Sequence, residues 1–166
     1  MSDLRAKFVD GMSRAATFVA VATTDGEGGR FGVTISSLTS VSADGDHPSL
    51  LGCIHHLSPA ATAILKNRAF CANLLAEGQQ EQSNLFAGRD KALTGDRFDR
   101  VKWHKGEVGQ PVLDGATATF ECRVATAMLW ETHYIIVGKV ISVTLSDDPS
   151  ALLYGQRAYR KAVQLP

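Results

Sequence analysis

Two apolar, β-branched runs lie close together near the start of this chain. Residues 17–24 read Thr-Phe-Val-Ala-Val-Ala-Thr-Thr and residues 30–35 read Arg-Phe-Gly-Val-Thr-Ile, with Asp25-Gly26-Glu27-Gly28-Gly29 between them. β-branched side chains favour the pleated strand, and a glycine cluster between two such runs is a turn. The pair predicts a β-hairpin, which commits the N-terminal part of the chain to antiparallel pairing.

The same grammar continues downstream. Residues 38–43 read as extended, 44–48 as a turn and 49–55 as a further strand. Ser58-Pro59 opens a helix, because serine suits the N-cap and proline the first helical position. Residues 60–66 continue that helix. Residues 69–75 are a strand and 79–86 a short helix. Residues 87–110 are loop-rich and contain Trp103, and a long irregular segment of this kind is often functional. Residues 120–129 and 134–145 predict two long strands, and 152–159 a terminal extended or turn segment. Before all of these, Leu4, Phe8, Val9 and Met12 recur at helical spacing and predict a helix over 4–14. Many strands joined by short turns, with a few helices, point to a closed antiparallel β-barrel with peripheral helices, since closure removes exposed strand edges.

The 166 residues fit one domain spanning 1–166, large enough for a hydrophobic core without disulfide or metal staples. Lys+Arg and Asp+Glu balance at 17 each. That balance lacks the basic excess of a nucleic-acid binder and offers little net repulsion against self-association. No run approaches the roughly 18 apolar residues of a membrane span. The N-terminus carries charges of both signs and no secretory signal, so the cytoplasm is the expected compartment. Cys53, Cys71 and Cys122 lie in apolar stretches without C-x-x-C spacing and are expected to be reduced, mostly buried thiols.

Several chemistries find no residues to carry them. Gly26-Glu27-Gly28-Gly29 does not fit G-x-G-x-x-G and precedes a strand instead of a helix. There is no phosphate-loop G-K-[ST] and no G-x-S-x-G elbow. His55 and His56 are adjacent, and neighbours on a strand point to opposite faces, so no metal site is expected. Glu121 and Glu131 have no motif around them. An enzyme of this composition would rely on a cofactor for its chemistry.

Two stretches carry a signal. From Phe31 to Ser42, six Ser/Thr residues alternate with apolar ones. This is either a half-exposed strand or a wall of hydroxyls and amides able to bind a polar heterocycle and its ribityl chain. At Cys53-Ile54-His55-His56-Leu57-Ser58-Pro59 a strand end feeds a helix N-terminus. Such a terminus can bind phosphate, with Ser58 and His55 at hand, or simply be an ordinary N-cap.

These stretches and others, in order, resemble the short-chain flavin reductases, the reductase components of two-component flavin monooxygenases. The matching residues are Gly32-Val33-Thr34-Ile35-Ser36-Ser37-Leu38-Thr39-Ser40-Val41-Ser42, Leu50-Leu51-Gly52-Cys53, and Phe70-Cys71-Ala72-Asn73-Leu74-Leu75-Ala76. They continue with Phe86-Ala87-Gly88, Asp96-Arg97-Phe98, Pro111 through Ala116, His133, Val137-Gly138-Lys139-Val140, and Leu152 through Arg160. The resemblance covers nearly the whole chain.

It implies a mainly β fold with peripheral helices, the Greek-key FMN-binding split barrel, with flavin in a groove between two copies of a homodimer. It implies hydride transfer from NADH or NADPH to FMN or FAD, with reduced flavin diffusing to a flavin-dependent monooxygenase. Flavin binding falls to Val33, Thr34, Ile35, Ser36, Ser37, Cys53, His55, Ser58, Phe86 and Arg89. The nicotinamide side falls to His133, the candidate catalytic residue, with Tyr154, Arg157 and Tyr159. Glu131-Thr132-His133 replaces the family's usual Gly-Asp before the histidine, and His55-His56 stands where Asn, Lys, Ser or Arg is usual. A bound-flavin reductase of another acceptor, such as a cobalt corrinoid or ferric complex, is the alternative within the family. A non-catalytic flavin- or haem-binding barrel is the alternative outside it.

Overall fold

The structure, a computed structural model, describes residues 3–89 and 94–166. Residues 90–93 of the loop-rich stretch therefore lie outside the described residues. In chain order the elements are α1 (Asp3–Ser13), β1 (Thr17–Phe18), β2 (Ala20–Thr24), β3 (Phe31–Ile35), β4 (Thr39–Ser42) and β5 (Ser49–His55). Then come α2 (Pro59–Asn67), β6 (Ala69–Leu74), α3 (Gln80–Phe86), a 3₁₀ turn (Arg97–Arg100), β7 (Trp103–Lys105) and β8 (Pro111–Leu113). The chain ends with β9 (Ala118–Trp130), β10 (His133–Leu145), β11 (Leu152–Gly155) and β12 (Ala158–Lys161).

The expected first hairpin forms, Val21 opposite Thr34 and Thr23 opposite Gly32. A seven-stranded antiparallel sheet runs β3-β2-β6-β9-β10-β5-β4, beside a three-stranded sheet β1-β11-β12 and the pair β7-β8. The predicted strand over 17–24 breaks at Val19. Its N–H donates to Leu152 O at 2.9 Å and its carbonyl accepts from Leu75 N–H at 3.0 Å, so one chain segment serves two sheets. β2 is buried on both faces: Ala20 and Ala22 enter one core with Ile35, Ile64, Phe70 and Ile136, while Val19 and Val21 enter another with Leu75, Phe86, Phe98 and Leu152. Burial on both faces explains why its sequence reads as a continuous apolar run.

The expected closed barrel needs correction. β3 and β4 stand at opposite ends of the sheet order, and no backbone ladder joins them. The sheet curls until the β3 end meets β5 through side chains. Ser37 Oγ accepts from Cys53 N–H and donates to Cys53 O, both at 3.0 Å, taking the groups a ladder would have used. Ile35 and Leu38 close over Gly52, where a Cβ would stand 3.2 Å from the Ile35 Cδ1.

Two short strands the sequence pattern did not reveal, β7 within the loop-rich stretch and β8 just after it, pair with each other. Buried Asn73 fixes β8 by accepting Leu113 N–H on Oδ1 at 2.8 Å while its Nδ2 donates to Val21 O at 3.0 Å. The buried Glu121 carboxylate accepts the N–H groups of Glu107 and Val108 at 2.8 and 2.9 Å, fixing the connection between β7 and β8. Helix α1 forms over the expected residues, yet none of its residues is buried. Leu4, Phe8 and Met12 are 77%, 65% and 58% exposed. No described helix is long and apolar enough to cross a membrane.

Candidate functional site

As an end strand, β3 pairs only with β2. Alternate residues of an edge strand turn their N–H and C=O groups away from the sheet, where a ligand can take them. A hollow opens at each end of this edge.

At the Arg30 end a hollow of about 320 Å³ is lined by Arg30, Gly32, Ser58, Pro59, Asp96 and Arg97, among others. It lies at the start of α2. Ser58 occupies the predicted N-cap position, but its side chain makes no capping bond, which leaves the hydroxyl for another partner. Arg30 pairs with Asp96, and its guanidinium lies 5.1 Å from the Phe98 ring and 4.9 Å from the Trp103 ring. The hydrogen bond with Asp96 raises the Arg30 pKa further above its already high value. For Asp96, partial burial pushes the carboxyl up. The Arg30 hydrogen bond and charge and the Phe98 N–H outweigh burial and hold it below its ordinary value. With Arg97 alongside and α2 presenting its positive end, this hollow suits an anion.

At the Ser36 end a hollow of about 190 Å³ is lined by Thr34, Ile35, Ser36, Ser83, Arg89, Tyr154 and Tyr159, with Val19 and Ala87. Tyr154 and Tyr159 meet edge to face at 5.4 Å. The Arg89 guanidinium lies 5.8 and 5.7 Å from their rings. Residues predicted separately for flavin and for nicotinamide are thus brought to one cavity.

The structure places the remaining predicted residues as follows. Thr34 and Ser37 commit their hydroxyls internally, to Ser83 O at 2.7 Å and to the Cys53 backbone, so what they offer a ligand is main chain. Val33 packs against the first core. Phe86 is 1% exposed and lies under β3, where a Cβ on Gly32 would come within 2.6 Å of its ring. Cys53 is half-buried at the seam. Two residues on, His55 accepts Leu57 N–H on Nδ1 at 3.1 Å, which puts its ring proton on Nε2. His133 stands opposite His55 in the β5–β10 ladder, with Nδ1 2.9 Å from Thr132 Oγ1. Arg157 sits with Gln156 in the tight β11–β12 turn, both left-handed at φ 62° and 51°.

Among the described residues no group of His, Cys, Asp and Glu could hold a metal ion. A larger apolar hollow of about 500 Å³, beside Phe18, Leu50 and Phe120, contains none of the predicted site residues. Sequence reasoning gave no role to Arg30, Asp96 or Arg97, nor to Ser83 and Asn84. Asp96-Arg97-Phe98 was at least part of the resemblance, whereas Asn84 carried no signal.

The fold is that of small antiparallel-β flavin reductases. The NADH:FAD oxidoreductase SgcE6 of Streptomyces globisporus C-1027 superposes with a TM-score of 0.88 at 27% identity, covering 100% of this chain and 98% of that one. BorF, the flavin reductase component of a bacterial two-component tryptophan halogenase, does so with a TM-score of 0.85 at 30% identity, covering 97% and 99%. In sequence, the FMN reductase (NADH) RutF of Stutzerimonas stutzeri (strain A1501) is 37% identical over 156 residues, 94% of this chain and 87% of that protein. Residues 12–162 match the flavin reductase like domain, and the chain belongs to that family. The resemblance drawn from the sequence motifs is borne out.

Proposed function

We propose that the chain is an NADH-dependent flavin reductase that takes FMN along the free edge of β3 and releases it reduced to a partner oxygenase. The observation that carries this reading is the unpaired β3 edge with an anion-suited hollow at one end and an arginine–tyrosine hollow at the other. The choice of FMN and NADH follows the RutF relative, and release to an oxygenase follows the similarity to nitrilotriacetate monooxygenase component B of Mycobacterium thermoresistibile.

The residues fit such a ligand. Main-chain groups of Val33 through Ser37 and the Ser36 hydroxyl supply donors and acceptors for a polar ring rim. Ser58, Arg97 and the start of α2 fit the ribityl phosphate. Bound flavin supplies the acceptor for a hydride from the nicotinamide. Arg89, lining the hollow at the Ser36 end, would offer positive charge to the acceptor as it is reduced. Tyr154, Tyr159 and Arg157 wall the hydride donor, and His133, held beside His55, orients it. No side chain acts as a nucleophile; the protein's task is to hold two rings at reacting distance and exclude water.

The same reading includes a homodimer of single-domain chains. It is supported by the neutral net charge and by the apolar face of α1, which the other described residues do not cover. Three free cysteines fit a reducing, cytoplasmic setting.

The deciding experiment follows NADH absorbance with purified protein, with and without FMN or FAD. Strong stimulation by FMN is the expected result. Turnover with flavin that never exchanges favours a bound-flavin reductase of another acceptor. No oxidation with any flavin overturns the enzyme assignment.

A further inference from the structure

Asn84, in the last turn of α3, reaches two of the side chains that line the Arg89 hollow. Its Oδ1 accepts from Arg89 Nη1 at 3.0 Å and lies 2.8 Å from Tyr159 Oη. The Arg89 N–H also donates to the Asn84 carbonyl at 3.2 Å. Chemistry sets the orientation of the side-chain amide: a guanidinium only donates, so the atom facing it is the oxygen. Tyr159 Oη lies 2.9 Å from Ser83 Oγ as well. A phenol has one proton and an amide oxygen cannot donate, so the Tyr159 proton goes to Asn84 and the Ser83 hydroxyl completes the other bond.

One oxygen thus holds donors from two distant parts of the chain, Arg89 beyond α3 and Tyr159 on β12. Arg89 is otherwise an exposed, flexible side chain with ring contacts longer than 5.5 Å. Removing the shared acceptor releases the Arg89 guanidinium from α3 and leaves the Tyr159 hydroxyl held by Ser83 alone.

We propose that Asn84 is a positioning residue that locks Arg89 and Tyr159 into one unit, so that flavin affinity and nicotinamide affinity are set together. This rests on the reductase reading, in which Arg89 serves the flavin and Tyr159 the hydride donor.

Asn84→Leu keeps the size and removes the acceptor; Asn84→Asp keeps acceptor oxygens. FMN affinity is read by quenching of flavin fluorescence, and KM for NADH from steady-state rates. Asn84→Leu is expected to raise the FMN Kd and the NADH KM each about tenfold, the scale of a hydrogen bond to a charged group. The kcat moves less, and Asn84→Asp stays within about twofold of wild type on both constants. Adding Tyr159→Phe to Asn84→Leu has little further effect on KM, because the Asn84–Tyr159 bond is already gone and the ring that walls the donor is kept. If Asn84→Leu does not fold, Asn84→Ala carries the same expectation. Wild type active with Asn84→Leu unchanged in both constants, or lowered only in melting temperature, overturns the positioning role and leaves the reductase reading standing. Wild type inactive with every flavin overturns both.

Discussion

His55 and His133 face each other across the β5–β10 ladder, their rings meeting edge to face with centroids 5.0 Å apart. His56 contacts His55 at the same distance. His55 is pinned through Nδ1 by the Leu57 N–H, so it forms a fixed wall against which His133 rests. His133→Ala is therefore expected to slow NADH oxidation by about tenfold through loss of orientation, with flavin affinity little changed. Stopped-flow reduction of the flavin-loaded protein reads this directly. A rate matching wild type removes His133 from the mechanism.

The Arg30–Asp96 pair predicts an acid-sensitive contact. Asp96 has its folded-state carboxyl below the ordinary value, so its contribution is present above the unfolded pKa and is lost as pH falls through the folded one. The window lies below about pH 4. Urea unfolding at neutral pH and in that window should show a smaller pH dependence for Asp96→Asn than for wild type. Equal dependence in the two proteins argues that the pair contributes nothing to stability.

Gly32→Ala tests the floor of the site. The added Cβ falls 2.6 Å from the Phe86 ring, and Phe86 is locked between β3 and Phe98. Overpacking of this kind costs about 1–3 kcal/mol, and β3 should shift outward with loss of flavin affinity. Chemical denaturation together with a flavin titration measures both effects. A variant equal to wild type in both shows that Phe86 moves aside freely.

Thiol reactivity follows burial. Burial, aided by the nearby Glu121 charge, pushes the Cys122 thiol up to about 12 and the Cys71 thiol higher still. Both side chains are 0% exposed. In the folded protein a thiol reagent at mildly alkaline pH should reach Cys53 alone, while all three cysteines react in denaturant. Fast native labelling of Cys71 or Cys122 would mean that β6 and β9 open readily.

Local pattern carried much of this fold. The strand 49–55 is found with the same bounds because its alternating burial and flanking turns are properties of neighbouring residues. The helix over 4–14 was legible within a residue or so, but its exposure was not, since an apolar stripe records that a face needs cover without saying what covers it. β7 and β8 escaped because their positions depend on Asn73 and Glu121, distant residues whose side chains hold main-chain groups of the loop. Arg30 and Asp96 are likewise 66 positions apart and meet only after folding. Thr34, Ser36, Arg89, Tyr154 and Tyr159 were named from the order of motifs, and the fold gathers them around one hollow. Asn84 had no motif, and its significance lies in which two side chains reach it.

The seam at Ser37 and Cys53 leaves β3 with a row of unpaired main-chain groups, and such a row is a template on which a second polypeptide can add a strand. Whatever lies along that edge also shields it. A flat ligand in this position would guard solubility as well as serve chemistry, and the ligand-free protein would be the form exposed to edge-to-edge aggregation.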